Sequence, residues 1–207
     1  MSVDCLDLFT LNQFTHIAGV DEVGRGCLAG PVVAAAVILN PDEPIEGLRD
    51  SKKLSAHRRD ELADEIKRKA LAWAVAEVGP DVIDRINILQ ATLRAMKRAV
   101  EKLAVEPDFI RVDGNQLPRW KWLSEAIVKG DDSVAEISAA SIIAKTTRDA
   151  FMVKMAQRYP QYGFEHNVGY GTAVHLQALK DFGPTPIHRM TFAPVKDFVH
   201  GLSTHSK

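Results

Sequence analysis

The first third of the chain carries its apolar residues in short continuous runs, a pattern that predicts buried strands. Two such runs, 17–23 and 31–39, are separated by a glycine-rich turn. Small and apolar residues alternate over 70–78 and predict a third strand, while 109–112 and 126–128 predict two shorter ones. We therefore expect two or three strands joined by tight turns, followed by strands that helices separate.

Apolar residues recur at three- and four-residue steps between these runs, and this spacing predicts helices. We expect helices over 55–69, with Ser55 as the N-cap, and over 80–103, 134–159 and 172–182. The order of elements, β-β-α-β-α-β-β-α-α, predicts an α/β fold in which helices flank a mixed five-stranded sheet. A C-terminal helical extension follows the sheet.

The chain contains no internal repeat and no low-complexity segment. Its length of 207 residues predicts one domain over 1–207. Three prolines after Gly183 predict an extended tail that packs on the surface. We expect the ends, about 1–14 and 201–207, to be flexible.

Charge and cysteine content narrow the class of protein. The net charge is −1, so a nucleic-acid partner would have to be bound by a local basic patch. Cys5 and Cys27 are the only cysteines, and no C-x-x-C or H-E-x-x-H spacing is present. This argues against a zinc centre and favours free thiols in a reducing cytoplasm. No apolar run reaches the 18 or so residues of a transmembrane helix. We expect a cytoplasmic monomer.

Acidic residues follow three of the predicted strands. Asp21 and Glu22 end the first, and Asp113 and Asp131 follow the two short ones. Ligands collect at strand ends in open α/β sheets, so these acids are expected to converge. Carboxylates suit Mg²⁺ or Mn²⁺, and two such ions about 4 Å apart promote phosphoryl transfer. Asp113 or Asp131 alone is also compatible with an ordinary turn, but the combination favours a metal site.

Asp21 and Glu22 pose a geometric problem, because successive residues of a strand point to opposite faces. Two solutions stay open. Either a β-bulge redirects one side chain, or Glu22 offers its backbone carbonyl.

The segment from Gly24 to Gly30 resembles a dinucleotide-binding fingerprint with one residue too many. That fingerprint must open a helix, whereas 31–39 predicts a strand, so we reject it. Bare backbone at Gly24 and Gly26 instead allows a ligand to approach closely. Arg25 adds a guanidinium suited to phosphate.

Three other stretches allow both a functional and a structural interpretation. Lys52 and Lys53 precede a helix N-terminus, where they either bind phosphates or form a solvated turn. Tyr170 lies in a glycine-rich loop and either stacks on a base or sugar or packs in the core. His188 and Arg189 are either phosphate contacts or an anchor for the tail.

The chain resembles bacterial ribonuclease HII from about residue 17 to 195. The matching segments are long, ordered and typical of that family. They are GVDEVGRGCLAGPVVAAAV from Gly19, DSKKLS from Asp50, NILQATLRAM from Asn87, VDGN from Val112, KGDDSVAEISAASIIAKTTRD from Lys129, YPQYGF from Tyr159 and GYGT from Gly169.

The resemblance implies a ribonuclease H-like fold and endonucleolytic cleavage of the RNA strand in RNA–DNA hybrids. It also implies incision 5′ of ribonucleotides embedded in duplex DNA, leaving a 3′-hydroxyl and a 5′-phosphate, in ribonucleotide removal during replication and repair. Two divalent ions, Mn²⁺ or Mg²⁺, are the implied cofactors. The implied catalytic and metal-binding residues are Asp21, Glu22, Asp113 and Asp131. We expect the substrate to contact Gly24, Arg25, Gly26, Ser51, Lys52, Lys53, Asn87 and Tyr170.

The chain departs from the family pattern at Val168, where a basic residue commonly precedes the Gly-Tyr pair. The loss of a phosphate contact there predicts modestly weaker substrate binding with the metal ligands untouched.

Two other functions stay open at this point. A different nuclease on the same fold, such as a DNA resolvase, would need no 2′-hydroxyl sensor. A catalytically silent binder of hybrid duplexes is disfavoured, because crowded acids repel phosphates.

Overall fold

The computed structural model describes residues 13–48 and 54–201. Within these residues, five strands form one sheet in the order β3-β2-β1-β4-β5. The strands are β1 (Ile17–Val23), β2 (Val32–Ile38), β3 (Ala72–Val78), β4 (Phe109–Asp113) and β5 (Ser124–Ile127). The mixed five-stranded sheet expected from the sequence is therefore confirmed.

The sheet combines antiparallel and parallel pairing. β2 runs antiparallel to both β1 and β3, whereas β4 lies between β1 and β5 and runs parallel to both. The carboxyl ends of β1, β4 and β5 consequently lie at the same edge of the sheet. Ligand sites of open α/β sheets form at such edges.

Helices cover both faces of the sheet and extend beyond it. In the described ranges they are α1 (Ala56–Lys69), α2 (Pro80–Ile86), α3 (Ile88–Glu101), α4 (Gly130–Ser133), α5 (Ala135–Arg158), α6 (Phe164–Asn167), α7 (Ala173–Phe182) and α8 (Val195–Gly201), with a 3₁₀ turn at Pro160–Tyr162. No helix in this part of the chain has the length and apolar character needed to cross a bilayer.

Successive side chains of β2 point to opposite faces of the sheet, so this one strand contributes to two apolar clusters. Ala34 and Ala36 join the apolar cluster under α2 and α3, whereas Ala35 and Val37 join the cluster under α1 and α5. Small residues keep both layers close to the sheet. At Gly19 of β1, an added Cβ would lie 2.0 Å from the backbone of α5, so only glycine allows this packing.

The C-terminal helical extension has its own core against the end of α5. Met152 of α5 packs there with Tyr162, Phe164, Leu179 and Val195. This cluster ties the segment after the sheet to the same long helix that covers β1.

The prediction of an extended tail on the surface after Gly183 is wrong. His188 and Arg189 are buried, the backbone of His188 pairs with Ala29, and the N–H of Gly30 donates to the carbonyl of Ile187 at 2.8 Å. The chain then enters α8. The prolines end α7, but the segment pairs with the loop after β1 instead of lying on the surface.

Two other expectations need correction. The helix predicted over 80–103 breaks at Asn87, which has φ +66° and separates α2 from α3. β5 ends at Ile127, and Asp131 lies in α4 instead of at a strand end. Lys129 adopts the left-handed conformation (φ +59°) and turns the chain between these elements.

The chain ends expected to be flexible fall almost entirely outside the described residues. Phe14 is described, and its ring stacks on Phe109 of β4 with centroids 4.9 Å apart. The single-domain organisation of 1–207 stays a prediction.

Candidate active site

Four acidic residues meet at the edge formed by the carboxyl ends of the parallel strands. Val20 of β1 pairs with Val112 of β4, so Asp21 and Asp113 occupy the next positions of neighbouring strands. The backbone N–H of Asp131 donates to the carboxylate of Asp113 over 3.4 Å, which brings α4 to the same place. We call this group, Asp21, Glu22, Asp113 and Asp131, the acidic cleft.

The ladder between β1 and β2 is regular through the acidic pair. Asp21 lies opposite Ala35 and Glu22 opposite Ala34, so the structure contains no bulge there. Asp21 faces α5, where Ser141 acts to lower the pKa of its carboxyl group, and its Oδ1 accepts a hydrogen bond from the N–H of Glu22 at 2.7 Å. The bulge solution is therefore excluded, and the backbone carbonyl of Glu22 remains a candidate ligand.

Glu22 nevertheless lines two clefts, one with Asp113 and the other with Asp131. It lines a cleft of about 110 Å³ together with Asp113, and a neighbouring cleft of about 270 Å³ together with Asp131. Its carboxylate binds Arg25 at 3.2 Å. Glu22 thus connects the acids to the turn that follows β1.

Asp21 is the most deeply buried negative charge that the electrostatics of the acidic cleft disfavour. Asp21 is only 5% exposed. Burial raises the pKa of Asp21 well above its usual range, and the charges of Glu22 and Asp113 raise it further. Burial also raises the pKa of Glu22, although Arg25 partly opposes this. Such a site favours an added cation.

The donor set of the acidic cleft fits a hard divalent ion, since it consists of carboxylate and carbonyl oxygens. The positions of the side chains do not form a finished cage. Within the described residues, no three His, Cys, Asp or Glu side chains lie close enough together to hold one ion. The burial of Asp21 beside the carboxylates of Glu22 and Asp113 is the observation that favours a metal here.

The Gly-Arg-Gly turn, residues 24–26, begins directly after Glu22. Gly24 is buried with φ +91°, and an added Cβ would lie 2.2 Å from Nε of Arg148. Gly26 is exposed, and a Cβ there would meet only the ring of Tyr170, at 3.8 Å. Glycine at 24 is therefore required by the protein's own packing, whereas Gly26 presents bare backbone to the surface.

Tyr170 joins the same surface. It is 46% exposed and stands beside Gly26. The structure therefore favours an exposed aromatic ring at the Gly-Arg-Gly turn over the interpretation of Tyr170 as a core residue.

Two buried arginines lie beneath this turn and the segment that follows it. Arg148 of α5 donates to the carbonyls of Ala29, Pro31 and Val168 at 2.8–3.0 Å. The sequence analysis missed it, although it lies on the buried side of α5, in step with Ala144 and Met152. The side chain of Arg189 binds the turn from the C-terminal segment. His188 and Arg189 are buried, so they are not exposed phosphate contacts, and the backbone of this segment anchors the tail.

The other predicted substrate residues have separate outcomes. Ser51, Lys52 and Lys53 lie outside the described residues. Asn87 is exposed, and its side chain accepts a hydrogen bond from the N–H of Gln90 at 3.1 Å as the N-cap of α3. Its contact with substrate stays a prediction.

Val168 occupies a strained position, with φ +43°. Its side chain packs against the C-terminal apolar cluster, and its carbonyl accepts from Arg148 at 2.8 Å. The departure from the family pattern therefore leaves the backbone of this loop tied to the protein.

Two further cations beside the acidic cleft also escaped the sequence analysis. Arg59 of α1 and Lys145 of α5 line the cleft that contains Glu22 and Asp131. Lys145 pairs with Asp149 at 2.8 Å. No local signal in the sequence joins α1 to α5 at this point.

Comparison with solved structures identifies the class. The fold matches the crystal structure of ribonuclease H2 from Pyrococcus horikoshii with a TM-score of 0.77 and 27% identity, covering 92% of this chain and all of that one. It also matches a Bst ribonuclease HIII in complex with Mn²⁺, with a TM-score of 0.67 and 19% identity over 89% of this chain and 69% of that one. The fold and its acidic edge define a ribonuclease H, a class of enzyme that depends on divalent metal ions.

The sequence comparison defines the family. The profile of ribonuclease HII matches residues 18–195. Ribonuclease HII of Thiobacillus denitrificans is 58% identical over 180 residues, which is 87% of this chain and 88% of that protein. The chain belongs to the ribonuclease HII family. It is a type 2 ribonuclease H, an endonuclease that acts on RNA–DNA hybrids.

Proposed function

We propose that this enzyme cuts on the 5′ side of ribonucleotides embedded in duplex DNA, besides hydrolysing the RNA strand of hybrids. The products are a 3′-hydroxyl and a 5′-phosphate, and the role is ribonucleotide removal during DNA replication and repair. One observation carries this proposal. The exposed backbone of Gly26 and the ring of Tyr170 form one surface, and Arg25 of the same turn pairs with Glu22 of the acidic cleft.

The Gly-Arg-Gly turn supplies the recognition step. The 2′-hydroxyl distinguishes RNA from DNA at a given position. Backbone groups at Gly26 approach it because no Cβ intervenes, and Tyr170 stacks on the sugar of the next nucleotide. Arg25 is half exposed beside them and supplies a guanidinium for a phosphate.

The acidic cleft supplies the cutting step. Asp21, Glu22, Asp113 and Asp131 would hold divalent ions, Mn²⁺ or Mg²⁺, which activate water and stabilise the leaving oxygen when bound. The protein's own contribution is to hold these carboxylates in place. The carboxylate of Asp21 is held by the N–H of Glu22, that of Asp113 by the backbone of α4, and that of Glu22 by Arg25.

Only four residues separate Asp21 from Gly26 along the chain. The distance between recognised sugar and cut phosphate is therefore set by one short turn, and not by the relative motion of two domains. We propose that the enzyme works as a single-domain monomer in the cytoplasm. The single domain is supported by α5, which contributes residues both to a cluster under the sheet and to the C-terminal cluster, and the reducing compartment by the free, buried thiol of Cys27.

A cleavage assay on three duplexes of one sequence tests this function. The first contains one ribonucleotide, the second is an RNA–DNA hybrid and the third is all DNA, each with Mn²⁺, Mg²⁺ or EDTA. We expect cutting of the first two with either metal, 5′ of the lone ribonucleotide in the first. Equal cutting of the all-DNA duplex would favour a resolvase, and binding without turnover would favour a silent binder.

A further inference from the structure

We propose that Arg189 is a positioning residue for ribonucleotide recognition: its buried guanidinium holds the Gly-Arg-Gly turn so that two backbone N–H groups face the substrate. The inference rests on the proposed function of that turn and extends it to a residue 163 positions beyond Gly26 in the sequence.

The guanidinium of Arg189 binds only backbone carbonyls of this region among its described hydrogen bonds. Nη2 donates to Gly24 at 2.5 Å and Nη1 donates to Arg25 at 2.7 Å. Nε and Nη2 donate to Gly30 at 3.1 and 3.0 Å. The side chain is fully buried, and its other face lies on the ring of Phe192, 5.1 Å from the centroid.

These contacts set the direction of two peptide groups. The carbonyl of residue i and the N–H of residue i+1 point in opposite directions across a trans peptide. The only cis peptide in the described residues is Ala193–Pro194. Because the carbonyls of Gly24 and Arg25 point inward to Arg189, the N–H groups of Arg25 and Gly26 point outward.

The outward N–H groups have no competing partner. Within the described chain, neither donates a hydrogen bond to another residue. Successive outward N–H groups form a concave site for oxygen ligands. A ribose hydroxyl or a phosphate oxygen meets this description, and Tyr170 stands beside it.

Anchoring of the tail does not explain the Arg189 side chain. The backbone of Arg189 donates to Leu28 at 2.9 Å, and Gly30 donates to Ile187 at 2.8 Å. Asp84 accepts from the N–H groups of Met190 and Thr191 at 2.8 and 3.0 Å. The segment is thus held by main-chain contacts on both sides of Arg189, and the guanidinium is directed to the turn.

The substitution Arg189→Lys tests the proposal, because an ammonium is a point donor that cannot span three carbonyls. Binding of a duplex with one ribonucleotide and of its all-DNA counterpart is measured in the Asp21→Asn background, so that neither strand is cut. We expect the preference for the ribonucleotide to fall roughly tenfold, the effect of one lost hydrogen bond or more. Affinity for the all-DNA duplex should stay unchanged.

Val195→Ala is the matched control. Val195 is buried in the same C-terminal cluster, and none of the described hydrogen bonds joins it to the turn, so its truncation should lower the melting temperature without changing the ribonucleotide preference. Should Arg189→Lys fail to fold, Phe192→Leu removes the ring under the guanidinium and should lower the preference in the same direction.

Three results are decisive. Unchanged preference in Arg189→Lys overturns the inference, and so does an equal loss in Val195→Ala, which would show a general effect of stability. Equal binding of both duplexes by the enzyme with Arg189 intact would contradict the proposed recognition of ribonucleotides itself. That result differs from one that contradicts only the role of Arg189.

Discussion

At the scale of single residues, the two glycines of the Gly-Arg-Gly turn are present for different reasons. Gly24 has φ +91° and lies against Arg148, whereas Gly26 faces open surface beside Tyr170. The sequence predicts one role, close approach of a ligand, for both. It cannot separate them, because Arg148 is more than 120 positions away.

Alanine substitutions should distinguish the two glycines. We expect Gly24→Ala to lower the free energy of unfolding by about 2 kcal/mol or more, since it combines strain with a clash. Gly26→Ala should change the free energy of unfolding by at most about 0.5 kcal/mol and slow cleavage at a lone ribonucleotide roughly tenfold or more. Urea unfolding and single-turnover cleavage measure both effects. A stable Gly24→Ala, or a fully active Gly26→Ala, would contradict these roles.

His175 and His188 form a buried pair whose hydrogen bonds require both rings to be neutral. Thr185 donates its N–H to Nδ1 of His188, and Nδ1 of His175 lies 2.8 Å from the carbonyl of Tyr170. The Nε2 atoms of the two rings are 2.9 Å apart, so one must donate and the other accept. Burial, together with His175, lowers the pKa of His188 to about 4, and burial lowers that of His175.

This pair predicts a loss of stability in mild acid. The unfolded chain binds a proton at His188 near pH 6.5, while the folded protein resists it down to about pH 4. The contribution of neutral His188 to the free energy of unfolding should therefore be fully present above pH 6.5. The free energy of unfolding should fall by about 3 kcal/mol as the pH drops to 4. Urea unfolding between pH 4 and 8 checks this. His188→Gln should flatten that part of the profile, and an unchanged slope in the variant would contradict the assignment.

At the scale of elements, strands were the most predictable part of the fold. β1 and β2 are continuous apolar runs because both of their faces are covered by helices. Positions that depend on positive φ were not predictable. Asn87 breaks a helix that is apolar at helical spacing on both sides, and Lys129 moves Asp131 from a strand end into α4.

Asn87 allows its capping role and its predicted substrate role to be separated. Asn87→Ala should lower the free energy of unfolding by about 1–2 kcal/mol, because it loses the cap of α3 and retains positive φ. Asn87→Gly tolerates that φ and should cost less. If Asn87 only caps α3, cleavage below the melting transition stays normal in both variants. A large rise in KM with Asn87→Gly would instead support contact with substrate.

At the scale of the whole molecule, the site is assembled from distant parts of the chain. The acids come from β1, β4 and α4, Tyr170 follows α6, and the turn is held from below by α5 and by the segment before α8. The residue types of the acidic cleft could be predicted, since motifs and strand ends mark them. The supports could not, because a buried arginine bound to carbonyls leaves no periodic or local pattern.

The buried carboxylate of Asp21 in the acidic cleft is expected to lower the stability of the folded protein. Asp21 is buried between negative neighbours. Without a bound cation this arrangement destabilises the folded protein, so it would not be kept for stability alone. We therefore expect Asp21→Asn, measured in EDTA, to unfold at the same temperature as the parent enzyme or higher.

If Asp21 holds the ions that cut the strand, the parent enzyme and Asp21→Asn should differ sharply in their cleavage of a duplex with one ribonucleotide. Asp132→Asn is the control, because Asp132 is an exposed acid next to Asp131 that lies outside the family pattern. With Mn²⁺ or Mg²⁺, we expect Asp21→Asn to lose roughly a thousandfold or more in rate while Asp132→Asn cuts normally. Cleavage by folded Asp21→Asn at a rate close to that of the parent would contradict the account.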